Sequence, residues 1–252
     1  MKLTQYVISH KAFTPPKDPS YIPLQVGFGD DLGFLRDNTG DNIAAKNGSY
    51  CELTGLYWMW KNDADSDYIG LFHYRRYFAG SSKKEIASGD ELLKALEGHD
   101  IAIAEFEPYR ETVYEQYCID SGFKKDLDSL RDILSQQHPE DVWAFDEIMN
   151  QGGISQYNML VTSKKLFNEY CAWLFALLEE LEKCVDLSGY NAYQKRIYGF
   201  LAERLLNVWV LARHLDVVRL AVLQTEMSSS EKRRLALRRI KNRIIFKHNH
   251  HA

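Results

Sequence analysis

Residues 68–78, YIGLFHYRRYF, join a short apolar run to a cluster of polar and aromatic side chains. The run 68–72 has the length and composition of a buried strand. Ligands of open α/β sheets bind beyond the carboxyl ends of strands, so we expect a binding site where this strand ends. Arginine presents a planar fork of donors that suits phosphate or carboxylate. The cluster therefore predicts a diphosphate site formed by His73, Tyr74, Arg75 and Arg76.

A structural role is the alternative for this cluster. Tyr74 and Phe78 would then be core packing, and the two arginines would pair with acids elsewhere. Burial of two adjacent arginines and a histidine for packing alone is costly in free energy, which favours the binding role.

The composition of the 252 residues, with 45% apolar and 26% charged, is typical of a folded protein of one large domain. Four scattered cysteines without a Cys-x-x-Cys pair exclude a zinc ribbon and a disulfide framework. We find neither a secretory signal nor an apolar run of about 18 residues, and so expect a cytoplasmic protein. The chain also lacks the glycine-rich loops of kinases and dinucleotide enzymes and the nucleophile elbow of serine hydrolases.

The net charge of −4 conceals a basic end on an acidic body. Residues 231–252 contain eight Lys or Arg and one acid, whereas the rest of the chain contains 23 basic and 34 acidic residues. An acidic body argues against nucleic acid as a partner. The tail also carries Leu237, Ile240, Ile244 and Ile245 near helical spacing, which is typical of a helix at a membrane surface or a partner protein. A solvated, frayed terminus is the alternative.

The order of predicted elements indicates an α/β fold. Strands are predicted near residues 1–8, 24–27, 68–72, 100–104, 154–161 and 217–223. Helices are predicted over residues 47–62, 88–98, 164–185 and 193–215, with two more between 111 and 149 broken near 137–139. This alternation predicts a mostly parallel central sheet flanked by helices, with a helical C-terminal part.

Five segments in order resemble a known family: residues 36–43, Asn47 with 50–58, 68–78, 111–117 and 199–209. Together they are similar to the bacterial capsule and exopolysaccharide biosynthesis family first catalogued as a domain of unknown function. Its members are regarded as glycosyltransferases, some of them galactofuranosyltransferases. The resemblance spans about residues 6–223. It implies a GT-A-like nucleotide-sugar-binding domain, which we place over residues 1–226; the basic amphipathic tail, over 227–252, lies outside the resemblance.

The resemblance also implies partners. The donor would be a UDP-linked sugar such as UDP-galactofuranose, and the acceptor a lipid-linked capsule, O-antigen or exopolysaccharide glycan. The tail would hold the protein at the inner face of the plasma membrane. The alternative is a non-catalytic nucleotide-sugar-binding or scaffolding subunit of a polysaccharide assembly complex.

Within this family frame we expect no metal cofactor. The corresponding strand of GT-A enzymes usually ends in an Asp-x-Asp pair that holds a divalent metal, whereas here it ends in His73-Tyr74-Arg75. Cationic side chains can stabilise a departing diphosphate as a metal does. Asp63-Ala64-Asp65 matches the Asp-x-Asp pattern but precedes the strand, so we expect it to cap a turn.

Further donor contacts are expected from two segments. His10 and Lys11 end the first strand and would meet the nucleotide or its phosphates. In the loop that follows, carboxylates and amides would bond ribose or sugar hydroxyls, or alternatively form Asx turns; these residues are Asp37, Asn38, Asp41 and Asn42. Glu52, on the next helix, would face the site or pair with Arg36.

The catalytic base is expected to be a carboxylate that takes the proton of the acceptor hydroxyl. The resemblance to GT-A enzymes favours Glu203, near the start of a late helix, with an ion pair to Arg204 or Arg196 as the alternative role. Asp41 and Glu111 are the reserve candidates. The expected acceptor contacts are Gln156, Tyr157, Asn158 and Tyr117, with Tyr114 as a further candidate. The family tends to be richer in histidine after Tyr117 than this chain is.

Overall fold

The computed structural model describes residues 1–250, and side chains through residue 248. Its strands are β1 (Leu3–Ser9), β2 (Tyr21–Gln25), β3 (Leu35–Arg36), β4 (Tyr68–His73), β5 (Arg76–Phe78), β6 (Ile101–Ala104), β7 (Phe106–Pro108), β8 (Gly153–Ser155), β9 (Leu160–Ser163), β10 (Val217–Leu220) and β11 (Val222–Gln224). Its α-helices are α1 (Asn47–Tyr50), α2 (Leu53–Asn62), α3 (Gly89–Ala95), α4 (Val113–Asp120), α5 (Lys124–Gln137), α6 (Val142–Asn150), α7 (Lys164–Cys184), α8 (Ile197–Ala212) and α9 (Ser229–His250).

The central sheet runs in the order β10-β6-β9-β4-β1-β2-β3, with β5 and β11 attached beyond β4. Strand β9 is antiparallel to its neighbours β4 and β6, and the other pairs along this order are parallel. The prediction of a mostly parallel α/β sheet is therefore confirmed. In the register of β1 with β4, Ile8 lies beside His73, so the two strands end at the same edge.

The side chains of each strand alternate between two cores, as expected for a sheet covered on both faces. One core contains Ile8, Leu71 and Ile103 and packs against the larger helical layer, which includes α2, α7 and α8. The other contains Val7, Phe72 and Ala102 and is closed by α3 and β5. Gly55 lets α2 approach the sheet closely, since a Cβ there would lie 2.5 Å from Cδ1 of Ile8.

Several predicted elements divide where the sequence suggested fewer breaks, including the strand expected over 217–223, which becomes β10 and β11. The helix expected over 47–62 is interrupted at Cys51, whose φ is +53°. The strand expected over 154–161 becomes β8 and β9, because Tyr157 and Asn158 adopt φ values of +77° and +52°. The left-handed region is incompatible with a continuing strand or α-helix. The segment 111–149 forms three helices, α4, α5 and α6, instead of two.

The basic tail forms α9, which packs against β7. Arg239 donates to Glu107 at 2.6 Å and to Glu105 at 2.8 Å, and the buried Asn242 donates to the carbonyl of Pro108 at 2.9 Å. Phe246 covers Gly152 so closely that a Cβ on this glycine would lie 2.5 Å from the ring. One face of the helix is thus fixed to the body; the expected division at residue 226 stays a prediction.

Candidate active site

A cavity of about 660 Å³ opens at the sheet edge where β1, β2 and β4 end. Its walls come from the strand ends, the α1–α2 junction, the β8–β9 turn, α4 and α8. They are formed by Ile8, His10, Val26, Asn47, Gly48, Cys51, Glu52, His73, Tyr74, Arg75, Arg76, Tyr109, Gln116, Asp120, Ser121, Gln156, Tyr157, Ala192, Tyr193, Arg196, Phe200, Glu203 and Arg204.

Both arginines of the 68–78 segment face this cavity. The guanidinium of Arg76 lies 4.4 Å from the ring centre of Tyr157, and its Nε is buried without a hydrogen-bond partner among the described residues. Arg75 keeps 43% of its side chain exposed. Neither guanidinium is turned away from the cavity, so both are available to an anionic ligand.

The cavity rim holds a loose cation–carboxylate bridge. Glu226, between β11 and α9, lies 3.7 Å from Lys11 Nζ and 3.7 Å from an Arg75 nitrogen. The Lys11 ammonium also sits 4.8 Å from the ring centre of Tyr74, and the His10 ring packs edge-on against that ring. Burial and the charges of Lys11 and Arg75 lower the pKa of His10. The rim therefore concentrates positive charge at the ends of β1 and β4.

The backbone of Tyr157, in the β8–β9 turn, connects two of the candidate residues. The amide of Tyr157 donates to Oε1 of Glu203 at 2.8 Å, and its carbonyl accepts a hydrogen bond from Nε2 of His73 at 2.7 Å. A carbonyl only accepts, so Nε2 carries the imidazole proton. Burial lowers the pKa of His73, although nearby Glu52 opposes that effect. His73 is thus a neutral positioning group in this arrangement.

Glu203 lies on α8 with 18% of its side chain exposed. Burial is the main cause that raises its pKa, and the nearby carboxylate of Glu52 adds to it. Arg204, the Tyr157 amide and Arg76 partly offset this rise. Arg204 is 3% exposed, and its NH1 lies 3.6 Å from Glu203. A carboxylate with a raised pKa at a cavity wall is suited to proton transfer near neutral pH.

Hydrogen bonds from two buried asparagines position Glu52 and Glu203. Asn158 donates to Glu52 Oε1 at 2.8 Å and to the Gly199 carbonyl at 3.2 Å. Asn207 donates to the carbonyls of Ser155 and Glu203, each at 2.8 Å, and accepts from the Ser155 amide at 3.0 Å. These bonds fix α8 against β8 and hence the position of Glu203.

Arg196 contributes a third guanidinium from the turn before α8. Its Nε donates to the Cys51 sulfur at 3.3 Å, and the group lies 5.2 Å from the ring centre of Phe200 and 5.7 Å from that of Tyr193. The pKa of Cys51 is raised, with burial the largest cause. The thiol is therefore a neutral hydrogen-bond acceptor rather than a nucleophile.

Nine of the residues expected from the sequence line the cavity together: His10, Glu52, His73, Tyr74, Arg75, Arg76, Gln156, Tyr157 and Glu203. Lys11 reaches its rim through Tyr74 and Glu226. Asn158 is buried beneath it and holds Glu52.

The predicted acidic loop lies apart from the cavity lining. Asp41 accepts from the Tyr57 hydroxyl at 3.2 Å, Asn42 donates to the Gly40 carbonyl at 2.9 Å, and Asn38 is exposed. Asp37 is 1% exposed, and its burial raises its pKa. Asn42 therefore forms a local turn, as the alternative interpretation of this loop predicted, and Asp37 is buried in the protein interior.

The two acceptor candidates on α4, Tyr114 and Tyr117, do not line the cavity. Tyr117 is fully buried and donates to Asp126 at 2.7 Å, with the Arg204 guanidinium 5.1 Å from its ring centre. Tyr114 donates to Asp128 at 2.8 Å. Tyr117 therefore supports Arg204 rather than lining the cavity.

Two clusters with carboxylates could hold a metal ion: Asp63 with Asp65, and His138 with Glu140 and Asp141. Asp63 accepts from the Tyr6 hydroxyl at 2.8 Å and from Ser66 Oγ at 2.7 Å, which places it in the turn before β4. His138, Glu140 and Asp141 are close enough to share an ion, but Asp141 already accepts hydrogen bonds from Trp173 and Arg213. Neither group lines the cavity.

Sequence reasoning missed several wall residues, including Cys51, Tyr109, Gln116, Asp120 and Tyr193. Arg196 and Arg204 had been considered only as ion-pair partners of Glu203. Glu52 and Asn47 lie in the segment 47–58 that carried the family resemblance, which was the available signal for that wall. Gln116 lies in the segment 111–117, which also carried the resemblance, whereas Tyr109 and Asp120 join the wall through the packing of β7 and α4, which no local pattern predicted.

No helix in the part of the chain that the structure describes is long and apolar enough to cross a membrane. This finding covers α9, whose apolar residues are interspersed with basic ones.

The comparisons with known proteins agree with the fold. A solved structure described as the apo form of the bifunctional glycosyltransferase WbbM superposes with a TM-score of 0.83 at 27% identity. The match covers 90% of this chain and 46% of that one, so this chain spans about half the length of WbbM. The α/β, GT-A-like prediction is confirmed. No curated protein matches. A family model described as a domain of unknown function matches residues 4–214, and the chain belongs to this family, DUF4422.

Proposed function

We propose that this protein is a glycosyltransferase that moves a sugar from a nucleotide-sugar donor to a hydroxyl group of a growing glycan. The observation that carries the proposal is one cavity lined by two adjacent arginines, Arg75 and Arg76, and by the half-buried carboxylate of Glu203. The likeness to part of a bifunctional glycosyltransferase supports the same reaction class.

The donor would bind at the ends of β1 and β4. Arg75 and Arg76 would hold the diphosphate, because the Nε of Arg76 is buried without a hydrogen-bond partner among the described residues and Arg75 makes only a loose, exposed ion pair with Glu226. His10 and Val26 end neighbouring strands and would contact the nucleoside. The positive charge would stabilise the nucleoside diphosphate as it departs, which is where negative charge develops in the transition state.

Glu203 would act as the general base. The acceptor hydroxyl oxygen forms a bond to the anomeric carbon, the bond from that carbon to the diphosphate oxygen breaks, and the hydroxyl proton moves to the Glu203 carboxylate. The nucleoside diphosphate leaves with the electron pair of the broken bond. Tyr157 and Asn207 hold Glu203 in place for this step.

We propose that transfer does not depend on a divalent metal. The residues at the carboxyl end of β4 that line the cavity are His73, Tyr74 and Arg75, which include no carboxylate ligand for a metal. The Asp63–Asp65 pair lies in the turn before the strand. Turnover in the presence of excess chelator should equal turnover with added Mg²⁺ or Mn²⁺. A strict requirement for either ion would overturn this part of the proposal.

The finer identity of the substrates follows the family resemblance. We propose a UDP-linked donor, with UDP-galactofuranose as the first candidate, and a lipid-linked capsule, O-antigen or exopolysaccharide acceptor. The reaction would take place in the cytoplasm, where nucleotide sugars are available.

We also propose that α9 holds the protein at the inner membrane surface. Leu237, Ile240 and Ile244 are 67%, 57% and 64% exposed. They share the side of the helix opposite Arg239 and Asn242, which dock on β7. Exposed basic residues surround this apolar stripe: Arg233, Arg234, Lys241 and Lys247. Apolar insertion with flanking cations is the pattern of helices that lie in an anionic lipid interface.

The experiment is a panel of UDP-sugars, including the furanose form of galactose, tested for thermal stabilisation and for release of UDP. Arg75→Ala and Arg76→Ala should each lower transfer by about 100-fold or more while the fold is kept. Arg219→Ala, which removes an exposed arginine of β10, is the matched control. Donor binding without turnover on any glycan acceptor would favour the scaffolding role instead, and wild-type activity in both arginine variants would refute the assigned site.

A further inference from the structure

A second cavity of about 320 Å³ adjoins the proposed active cavity. The two share the wall residues Tyr109, Gln116, Asp120 and Gln156. The second cavity continues between α4 and β7 and reaches α9 at Arg238 and Asn242. A molecule that extends out of the active cavity on this side would therefore run along α4 toward the basic helix.

The cations of the second cavity are already engaged. Arg238 donates to Glu107 at 3.1 Å, and Arg110 donates to the side-chain oxygen of Asn242 at 3.0 Å. Both contacts help to dock α9. An anionic ligand would have to compete with them, so phosphate is disfavoured here.

Two carboxylates of this cavity, Glu111 and Asp120, are free or only lightly engaged, whereas Glu107 is paired with Arg238 and Arg239. Glu111 is half-buried, and its carboxylate has no hydrogen bond or ion pair within the described residues. Asp120 accepts from the side-chain amide of Gln116, and the Gln156 amide donates to the Tyr109 hydroxyl at 2.7 Å. Ile119 adds an apolar surface that is 64% exposed. Carboxylates and amides beside an apolar patch suit an uncharged ligand with many hydroxyl groups.

We propose that the second cavity binds the inner sugars of the acceptor glycan. The proposal rests on the proposed glycosyltransferase function. The terminal acceptor sugar occupies the active cavity near Glu203, and the preceding sugars pass Tyr109 and Gln156 to reach Glu111 and Asp120. The site gives preference to acceptors of two or more sugars, because a single sugar does not extend into it.

The test compares acceptors by length. Octyl glycosides of one, two and three hexoses are screened with the wild-type protein, and the accepted ones are used for KM and kcat with Glu111→Ala, which changes a residue that lines the second cavity and not the active cavity. We expect KM to rise about tenfold for two- and three-sugar acceptors, the equivalent of one or two lost hydrogen bonds, and much less for the one-sugar acceptor. Glu147→Ala, which removes an exposed carboxylate of α6, is the control.

The outcomes separate this proposal from the function on which it rests. Equal changes of KM for all lengths, or none, would overturn the inner-sugar site while leaving transferase activity established. Absence of UDP release with every donor and acceptor would refute the glycosyltransferase proposal itself. A solution NMR readout provides a second measure: the octyl trihexoside should broaden the Ile119 methyl signals, and lack of broadening alongside normal turnover counts against the site.

Discussion

The backbone amide of Tyr157 donates a hydrogen bond to Oε1 of Glu203 at 2.8 Å. This bond needs the left-handed conformation of Tyr157, whose φ is +77°. The carbonyl of the same residue accepts a hydrogen bond from Nε2 of His73, so the end of β4, the β8–β9 turn and α8 meet at one residue. Strained backbone of this kind persists only where surrounding contacts enforce it, and here those contacts orient the proposed base.

Glu203→Gln should abolish most transfer. The amide keeps the hydrogen bond from Tyr157 but cannot accept the acceptor proton, so kcat should fall about 10²- to 10⁴-fold. In the wild type, burial raises the pKa of Glu203, and the base form is lost as pH falls through that pKa. The acid limb of kcat/KM should therefore lie above the ordinary range of a glutamate. A limb at the ordinary range, or an unaffected kcat in the variant, would assign the base elsewhere.

The same substitution should stabilise the protein at neutral pH. A carboxyl whose pKa is higher in the folded than in the unfolded state contributes stability below the unfolded pKa and loses it as pH rises through the folded pKa. At pH 7 Glu203 is thus a cost, and the neutral amide should add roughly 0.5–2 kcal/mol to the free energy of unfolding. The gain should shrink as pH is lowered toward the ordinary pKa of a glutamate, about 4.3. Urea unfolding at both pH values measures it; a gain that grows in acid would contradict the assignment.

Asn207→Ala should destabilise the fold and disturb the site. The substitution leaves the buried Ser155 amide and carbonyl without their partners and removes a tie to the Glu203 carbonyl. Unsatisfied buried groups cost about 1–3 kcal/mol each, so we expect a loss of roughly 2–5 kcal/mol. Chemical denaturation gives the value, with Asn150→Ala on the exposed end of α6 as control. Equal stability of the two variants would refute the role of Asn207.

Glu226→Gln should strengthen donor binding. Glu226 lies 3.7 Å from both Lys11 and Arg75, where a diphosphate would bind, and its charge competes with the ligand. Exposed ion pairs contribute at most about 1 kcal/mol, so the Kd for a UDP-sugar should fall by up to about fivefold. Titration calorimetry at low and high salt is the measurement. Weaker binding in the variant would show that Glu226 supports the donor site instead of occupying it.

Replacement of the exposed apolar stripe of α9 should release the protein from membranes. A variant with Leu237→Ser, Ile240→Ser and Ile244→Ser leaves the docked face intact, so the fold should be kept. We expect wild type to pellet with phosphatidylglycerol-containing vesicles but not with pure phosphatidylcholine, and the variant to lose at least about tenfold in affinity. Phe28→Ser, at a side chain 81% exposed in a loop, is the control. Equal pelleting of variant and wild type would rule out this surface.

The sequence identified the parts of the site that lie close together along the chain. The apolar run 68–72 predicted β4 correctly, and the guanidiniums that follow it do face a cavity at the strand end. The order of strands and helices was enough for the fold class, since hydrophobic periodicity reflects which side of each element is buried.

Other parts depended on contacts that have no local pattern. The sequence did not predict the β8–β9 turn, because β-propensity favoured a continuous strand and only tertiary bonds to Glu203, His73 and Glu52 hold its left-handed residues. The composition of the acidic loop 37–42 predicts donor contacts, but composition does not show where the loop lies: its residues are absent from the cavity lining, with Asn42 bonded to the Gly40 carbonyl and Asp41 to Tyr57.

The sequence by itself determined the alternation of elements, the placement of the arginine cluster at the end of a strand, and the basic character of the last helix. Those features follow from side-chain chemistry and short-range periodicity. Only the tertiary structure decided that Glu52, Glu203, Arg196 and Asp120 share a wall, and which face of α9 is left exposed. These residues come from segments more than 60 residues apart in the sequence. Packing of the helices and strands brings them together, and no short stretch of sequence specifies that packing.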